Sequence, residues 1–89
     1  MQSRTLVISN RLGMHARAAA KFVQLASRYD SEIKVRREPK EVNGKSIMGV
    51  MMLAAGKGTQ IELIVSGSDE QVAIDALSTL VQDRFGESE

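Results

Sequence analysis

Residues 5–29 read TLVISNRLGMHARAAAKFVQLASRY, a strand that hands over to a helix at the chain's only histidine. Thr5-Leu6-Val7-Ile8-Ser9 is β-branched and short, and Asn10, Arg11 and Gly13 bound it. From Ala16 to Tyr29 the spacing is helical. Ala19, Phe22, Ala26 and Tyr29 fall on one stripe with Leu25 beside it, while Arg17, Lys21, Gln24 and Arg28 face the other way. His15 therefore stands at a helix N-terminus. The first N–H groups of a helix lack intrahelical acceptors and carry the positive end of its dipole, which makes such a terminus favourable to anions. A neutral imidazole is a good nucleophile for phosphorus, and the positive helix end disfavours the imidazolium. A phosphoryl group formed there would meet the N–H groups of Ala16 and Arg17, with the Arg17 guanidinium two residues on. Gly13 permits a tight backbone just before it. The motif holds no general base and no second nucleophile, so it reads as a phosphoryl acceptor rather than a complete active site.

The rest of the chain continues the alternation. Glu32-Ile33-Lys34-Val35-Arg36 has the period of two expected of a strand with one buried face. Glu38-Pro39-Lys40 is a turn, and Glu41-Val42 is at most a short return strand before Asn43-Gly44. Gln60 to Val65 is a third clear strand. Ser68-Asp69-Glu70-Gln71 reads as a capping box with Ser68 at the N-cap, and the helix it opens carries Val72, Ala73, Ala76, Leu77, Leu80 and Val81 as its apolar stripe. Gly86 closes that helix, and Glu87-Ser88-Glu89 reads as a frayed end. The order β-α-β-(β)-α-β-α implies an α+β layer, with helices on one face of a small sheet and the other face open.

Residues 46–55, SIMGVMMLAA, are apolar nearly all round a helical wheel. Such a helix should be buried on every side, yet a chain this small has too few layers for that. Composition leaves two readings equally open. Met48, Met51 and Met52 are either gap-filling core or an exposed patch whose flexible thioethers suit a partner. Ser46 reads as the N-cap.

Eighty-nine residues make one domain, residues 1–89, which buries only about 60–65% of its unfolded surface. There are no cysteines, hence no disulfides and no thiolate chemistry, in keeping with a cytoplasmic protein. Twelve Lys and Arg balance eleven Asp and Glu, which argues against a nucleic-acid binder, and Phe22, Tyr29 and Phe85 form no stacking platform. The first residues have no apolar leader, and the longest apolar run, Val50 to Ala55, is far too short to insert in a membrane. Gly44-Lys45-Ser46 looks like the end of a phosphate-binding loop, but its first glycine would have to be Pro39. No spacing of His, Asp and Glu suits a metal, and no cofactor is implied.

Two segments match a known family. Gly13-Met14-His15-Ala16-Arg17 with Ala19 resembles the phosphohistidine signature of the HPr family, the histidine-containing phosphocarriers of the bacterial phosphoenolpyruvate-dependent phosphotransferase system. Asn43 to Met51 resembles that family's serine-phosphorylation segment, and the resemblance covers essentially the whole chain. It implies an open-faced β-sandwich, a four-stranded, mainly antiparallel sheet with three helices on one face. It also implies that His15 takes a phosphoryl group on Nδ1 from phosphorylated enzyme I and passes it to an enzyme IIA domain, as a stoichiometric carrier and not an enzyme. Arg17 would steady the phosphoryl group. Ser46 would be a substrate of HPr kinase/phosphorylase, and Ile47, Met48 and Met51 would form an apolar dock beside His15. The chain departs from the common pattern at Ala18, where many members have proline, and at Leu12, where sugar-type carriers often have a small polar residue. Leu12-Gly13-Met14 is closer to nitrogen-type or incomplete proteobacterial systems. The competing readings are a purely regulatory interaction module working through Ser46 and the methionine patch, and a small hydrolase of acyl phosphates.

Overall fold

In a computed structural model that describes all of residues 1–89, the chain forms β1 (Gln2–Val7), α1 (Ala16–Ala26), β2 (Glu32–Arg37), β3 (Lys40–Asn43), α2 (Ile47–Met52), β4 (Gln60–Ser66) and α3 (Glu70–Gln82), then a 3₁₀ turn at Arg84–Gly86. The strands make one antiparallel sheet in the order β1-β4-β2-β3. The order follows from the connections. β2 and β3 are joined by a tight turn at Glu38-Pro39, and β4 is inserted between β1 and β2. The result is an α+β layer with helices on one face and the other face open, as the residues predict, and it is the four-stranded open-faced sandwich with three helices that the resemblance implies.

Register puts the apolar alternation on that face. Leu6 stands opposite Ile61, Val35 opposite Leu63 and Ile33 opposite Val65, all buried. They pack with Ala18, Ala19, Phe22, Val23 and Ala26 of α1, Val50 of α2, and Ala73, Ile74, Leu77 and Val81 of α3. The open face carries cross-strand charges instead, such as the ion pair between Arg36 and Glu62, which are register partners.

Several elements differ in extent from the sequence reading. α1 ends at Ala26 and not Tyr29, because Arg28 and Tyr29 bond back three residues, to Leu25 and Ala26, and so tighten the last turn out of α geometry. β3 is a full four-residue edge strand, held by backbone pairing that its weak apolar pattern did not announce. α2 is a short six-residue helix. Leu53 and Ala54 bond back three residues, and Ala54 then turns to φ +51°.

The capping box at Ser68 does not form. α3 starts at Glu70 with Asp69 as its N-cap, and the Asp69 carboxylate leaves the helix to accept from the N–H groups of Asp30 and Ser31 and from the Ser31 hydroxyl. Those donors hold the Asp69 carboxyl below its ordinary range, the Ser31 hydroxyl first. The reach back is made instead by Glu70, which accepts from the Gly67 N–H at 3.2 Å. Val72 is also misplaced by periodicity: it is 61% exposed, and Ile74 and Ser78 take the inner face. The buried Ser78 hydroxyl is satisfied by accepting from Arg4, whose guanidinium also pairs with Asp75.

Candidate functional site

The loop from β1 to α1 is built so that His15 becomes the first residue beyond the turn. Gly13 sits at φ +68°, and a Cβ there would lie 2.6 Å from the Ala55 carbonyl oxygen. The Met14 N–H donates to that same oxygen at 2.8 Å, which pins the loop to the segment after α2. Only glycine permits so close an approach in that backbone conformation. Beneath the loop, the buried Asn10 donates from Nδ2 to the Gly13 carbonyl at 2.7 Å.

His15 is the N-cap of α1, in extended backbone geometry, and its Nδ1 accepts from the Arg17 N–H at 3.3 Å. The N–H groups of Ala16 and Ala18 precede the first intrahelical bond, from Ala19 N–H to the His15 carbonyl, and so have no helical acceptor. Alanine at position 18, unlike a proline there, keeps one such donor. His15, Ala16 and Arg17 share an open cleft of about 540 Å³ with Arg11, Leu12 and residues 87–89. At this cleft Arg11 pairs with Glu89 and the His15 ring contacts Glu87, and neither contact engages the Arg17 guanidinium.

The sequence reading took the C-terminal residues as frayed, and here the structure corrects it. Three successive residues of left-handed backbone, Arg84, Phe85 and Gly86, turn the chain back on itself after α3. The fully buried Phe85 ring anchors the turn, and Lys21 of α1 donates from Nζ to the Phe85 carbonyl at 2.7 Å. The last residues then lie across the β1–α1 loop. The Arg11 N–H donates to the Glu89 carbonyl at 2.7 Å, and the Arg11 side chain pairs with Glu89 at 3.2 Å. Glu87 accepts from Asn10 Nδ2 at 2.9 Å through Oε1 and contacts His15 Nε2 through Oε2. The Asn10 amide above all, and the His15 ring after it, hold the Glu87 carboxyl below its ordinary range.

These partners assign the tautomer of the ring. A backbone N–H can only donate, so Nδ1 accepts; an ionised carboxylate can only accept, so Nε2 bears the proton. The Nδ1 lone pair therefore points at the helix terminus and the cleft. Sequence reasoning placed only the positive end of α1 beside this ring. The negative Glu87 on the opposite nitrogen counters that end, and no local pattern in the last three residues signals it.

Ser46 is the N-cap of α2, as expected, with Oγ accepting from the Gly49 N–H at 3.1 Å. The six-residue helix divides cleanly. Val50 is buried, and Ile47, Met48, Met51 and Met52 are exposed, Met48 most of all at 75%. The methionines are thus a surface patch and not core filling. α2 packs beside α1, but its residues do not line the His15 cleft, whose exposed apolar wall is Leu12.

Comparison with known proteins gives a consistent answer over the whole length. The family model described as the PTS HPr component phosphorylation site matches residues 2–83. The phosphocarrier protein HPr of Cupriavidus necator is 53% identical over 89 residues, all of both chains. Among solved structures, HPr-C-His from Thermoanaerobacter tengcongensis superposes with a TM-score of 0.96 at 46% identity, covering all of each chain. The phosphocarrier protein HPr of Bacillus anthracis does so at 0.87 and 42%, covering 91% of this chain and 96% of its own. Fold, sequence and the phosphorylation-site model agree, and the chain belongs to the HPr family of phosphocarrier proteins of the phosphotransferase system.

Proposed function

We propose that His15 accepts a phosphoryl group on Nδ1 from phosphorylated enzyme I and passes it to a histidine on an enzyme IIA domain. The observation that carries this reading is the placement of Nδ1, an unprotonated nitrogen held by the Arg17 N–H at the start of α1, on an open cleft. As Nδ1 bonds to phosphorus, the bond from phosphorus to the donor breaks. The phosphoryl oxygens then take the Arg17 N–H over from Nδ1 and add the Ala16 N–H, which has no helical acceptor. An open cleft suits a carrier, because two different partners must each bring a reacting group to the same atom and leave again.

Incubation with phosphoenolpyruvate, magnesium and a bacterial enzyme I, read by intact mass, tests the assignment. The expected product is one added phosphoryl group that is lost in acid. No addition by an enzyme I that is active on another carrier would contradict it.

Arg17 contributes the charge-assisted contact in this scheme. Arg17→Ala leaves the acceptor in place and slows transfer from phospho-enzyme I, on the order of tenfold or more, from the loss of one hydrogen bond to a charged group. An unchanged rate in a quenched-flow experiment would remove Arg17 from the mechanism.

Ser46 and the patch of Ile47, Met48 and Met51 supply the second half of the proposal, a docking surface with a switch at its edge. A phosphoryl group placed there by HPr kinase/phosphorylase sits at the N-terminus of α2, where negative charge is tolerated by the helix but faces any apolar partner. Ser46→Asp therefore weakens enzyme I binding, about tenfold by calorimetric titration, with little change in melting temperature. Undiminished affinity would count against Ser46 as a switch. A purely regulatory module would work through this patch alone; the ordered, accessible Nδ1 of His15 favours the carrier.

A further inference from the structure

Beyond the phosphoryl acceptor itself, the geometry points to Glu87 as a positioning residue for the transfer, one that holds the Nε2 proton of His15 through both halves of the carrier's cycle. The inference rests on the reading of His15 as the phosphoryl-bearing residue. Its basis is the way the chain's last residues are built against the ring. The Glu87 side chain is only 18% exposed, although it belongs to a terminal segment. Both of its oxygens are used, Oε1 by Asn10 and Oε2 by His15. Asn10 is completely buried, and its amide orientation is set by two acceptors, the Gly13 carbonyl and Glu87. Its own Oδ1 has no hydrogen-bond partner. Turned the other way, the amide would set Oδ1 against both of those acceptors, so the orientation that holds the Gly13 turn also serves Glu87.

The chemistry of the ring explains what such a carboxylate does. For Nδ1 to attack phosphorus, the ring proton must be on Nε2, and a carboxylate at Nε2 keeps it there. Once the nitrogen–phosphorus bond has formed, the ring bears Nε2–H and Nδ1–phosphoryl and is formally cationic, which the same carboxylate stabilises. When the phosphoryl group leaves for the next histidine, the nitrogen–phosphorus bond breaks with its electron pair returning to Nδ1. The ring then departs as neutral imidazole with Nε2–H still in place. No proton enters or leaves this chain in either step. Without a fixed Nε2 proton, the leaving group would acquire imidazolide character and the onward transfer would be slow. The arrangement follows the general logic by which a carboxylate orients a catalytic imidazole and sets its tautomer.

A role limited to fastening the C-terminal residues predicts something different, because those residues have other attachments. Phe85 in the core, the Lys21 contact to the Phe85 carbonyl and the Arg11 contacts to Glu89 all remain when Glu87 is changed.

The test is single-turnover phosphoryl transfer from phospho-enzyme I, measured across a range of carrier concentration for wild type, Glu87→Gln and Asp83→Asn. Asp83→Asn removes the same charge from an exposed position nearby that does not touch the ring. Glu87→Gln is expected to lower the maximal rate about tenfold or more while the half-saturating concentration stays the same. In ¹⁵N-histidine spectra of the unphosphorylated protein, the Nε2–H signal of the single His15 is expected to be protected in wild type and in Asp83→Asn, and to be lost to solvent exchange in Glu87→Gln. An unchanged maximal rate, or a defect confined to the half-saturating concentration, would overturn the role of Glu87 while leaving the carrier assignment standing. A wild-type protein that takes no phosphoryl group from active phospho-enzyme I would overturn both.

Discussion

His15→Ala is expected to abolish phosphoenolpyruvate-dependent phosphorylation completely, and to do so in a protein that still folds. The first half follows from the side-chain inventory. The chain has one histidine and no cysteine, so no other soft nucleophile exists to take the group. The second half follows from where the ring sits. Its contacts are one N-cap bond to the Arg17 N–H and the pairing with Glu87, both at the edge of an open cleft and outside the apolar core. Loss of an N-cap acceptor costs about 1 kcal/mol, against a total of about 5–15 kcal/mol for a domain of ordinary stability. The measurement is phosphoenolpyruvate-dependent labelling of the variant beside the wild type, with the far-ultraviolet spectrum showing that the variant is folded. Retained acid-labile phosphate on the variant would place the acceptor elsewhere and refute the assignment; a serine ester is acid-stable and would be told apart by that alone.

The second large effect is structural. Phe85→Ala should destabilise the protein by about 3–5 kcal/mol, the usual loss when a buried aromatic ring is truncated to a methyl group. For a domain of this size that lowers the melting temperature by roughly 12 °C or more. Phe85 is one of the two largest fully buried side chains, the other being Phe22 of α1. It is buried from an unusual backbone position, φ +55°, in the turn that carries the chain from α3 back to the site. The ring therefore does two jobs. It fills the core at the end of α1 and α3, and it sets the point from which Glu87 reaches His15. Calorimetric melting of the variant reads the first of these. A shift of only a few degrees would mean that the ring does not fill the core.

Much of this fold is legible because its signals are local. The β1–α1 junction, the alternation of β2 and β4, and Ser46 as the cap of α2 each follow from residues within a turn or two of one another. The errors in α3 and the ambiguity of α2 arise where a distant residue decides. Ser68 and Asp69 are both competent N-caps, and what separates them is that Asp69 is drawn to Ser31, 38 residues away in the chain. Val72 has the periodicity of a core residue, yet the face that β1 meets is the one bearing Ser78, which answers Arg4. The apolar run of α2 has no inward and outward side until α1 and β3 are packed against it; only then do Val50 and Leu53 go in and the methionines stay out.

The candidate site divides the same way. His15, Ala16 and Arg17 are consecutive, so their shared helix terminus can be read directly from the sequence. Glu87 lies 72 residues from His15, in three terminal residues whose polarity alone suggests a solvated end. Only the burial of Phe85 and the left-handed turn around it bring that carboxylate to the ring. Asn10, which supports both the Gly13 turn and Glu87, looks from sequence like an ordinary loop residue.

The central claim is that the phosphoryl group resides on one particular atom. The chain's single histidine makes that directly measurable, by ¹⁵N–³¹P correlation on ¹⁵N-histidine-labelled protein kept phosphorylated with phosphoenolpyruvate and enzyme I. Phosphorus coupled to Nδ1, with the proton retained on Nε2, is the result this account predicts. Phosphorus on Nε2, or a phosphoryl group detected by mass with no coupling to either ring nitrogen, would contradict it.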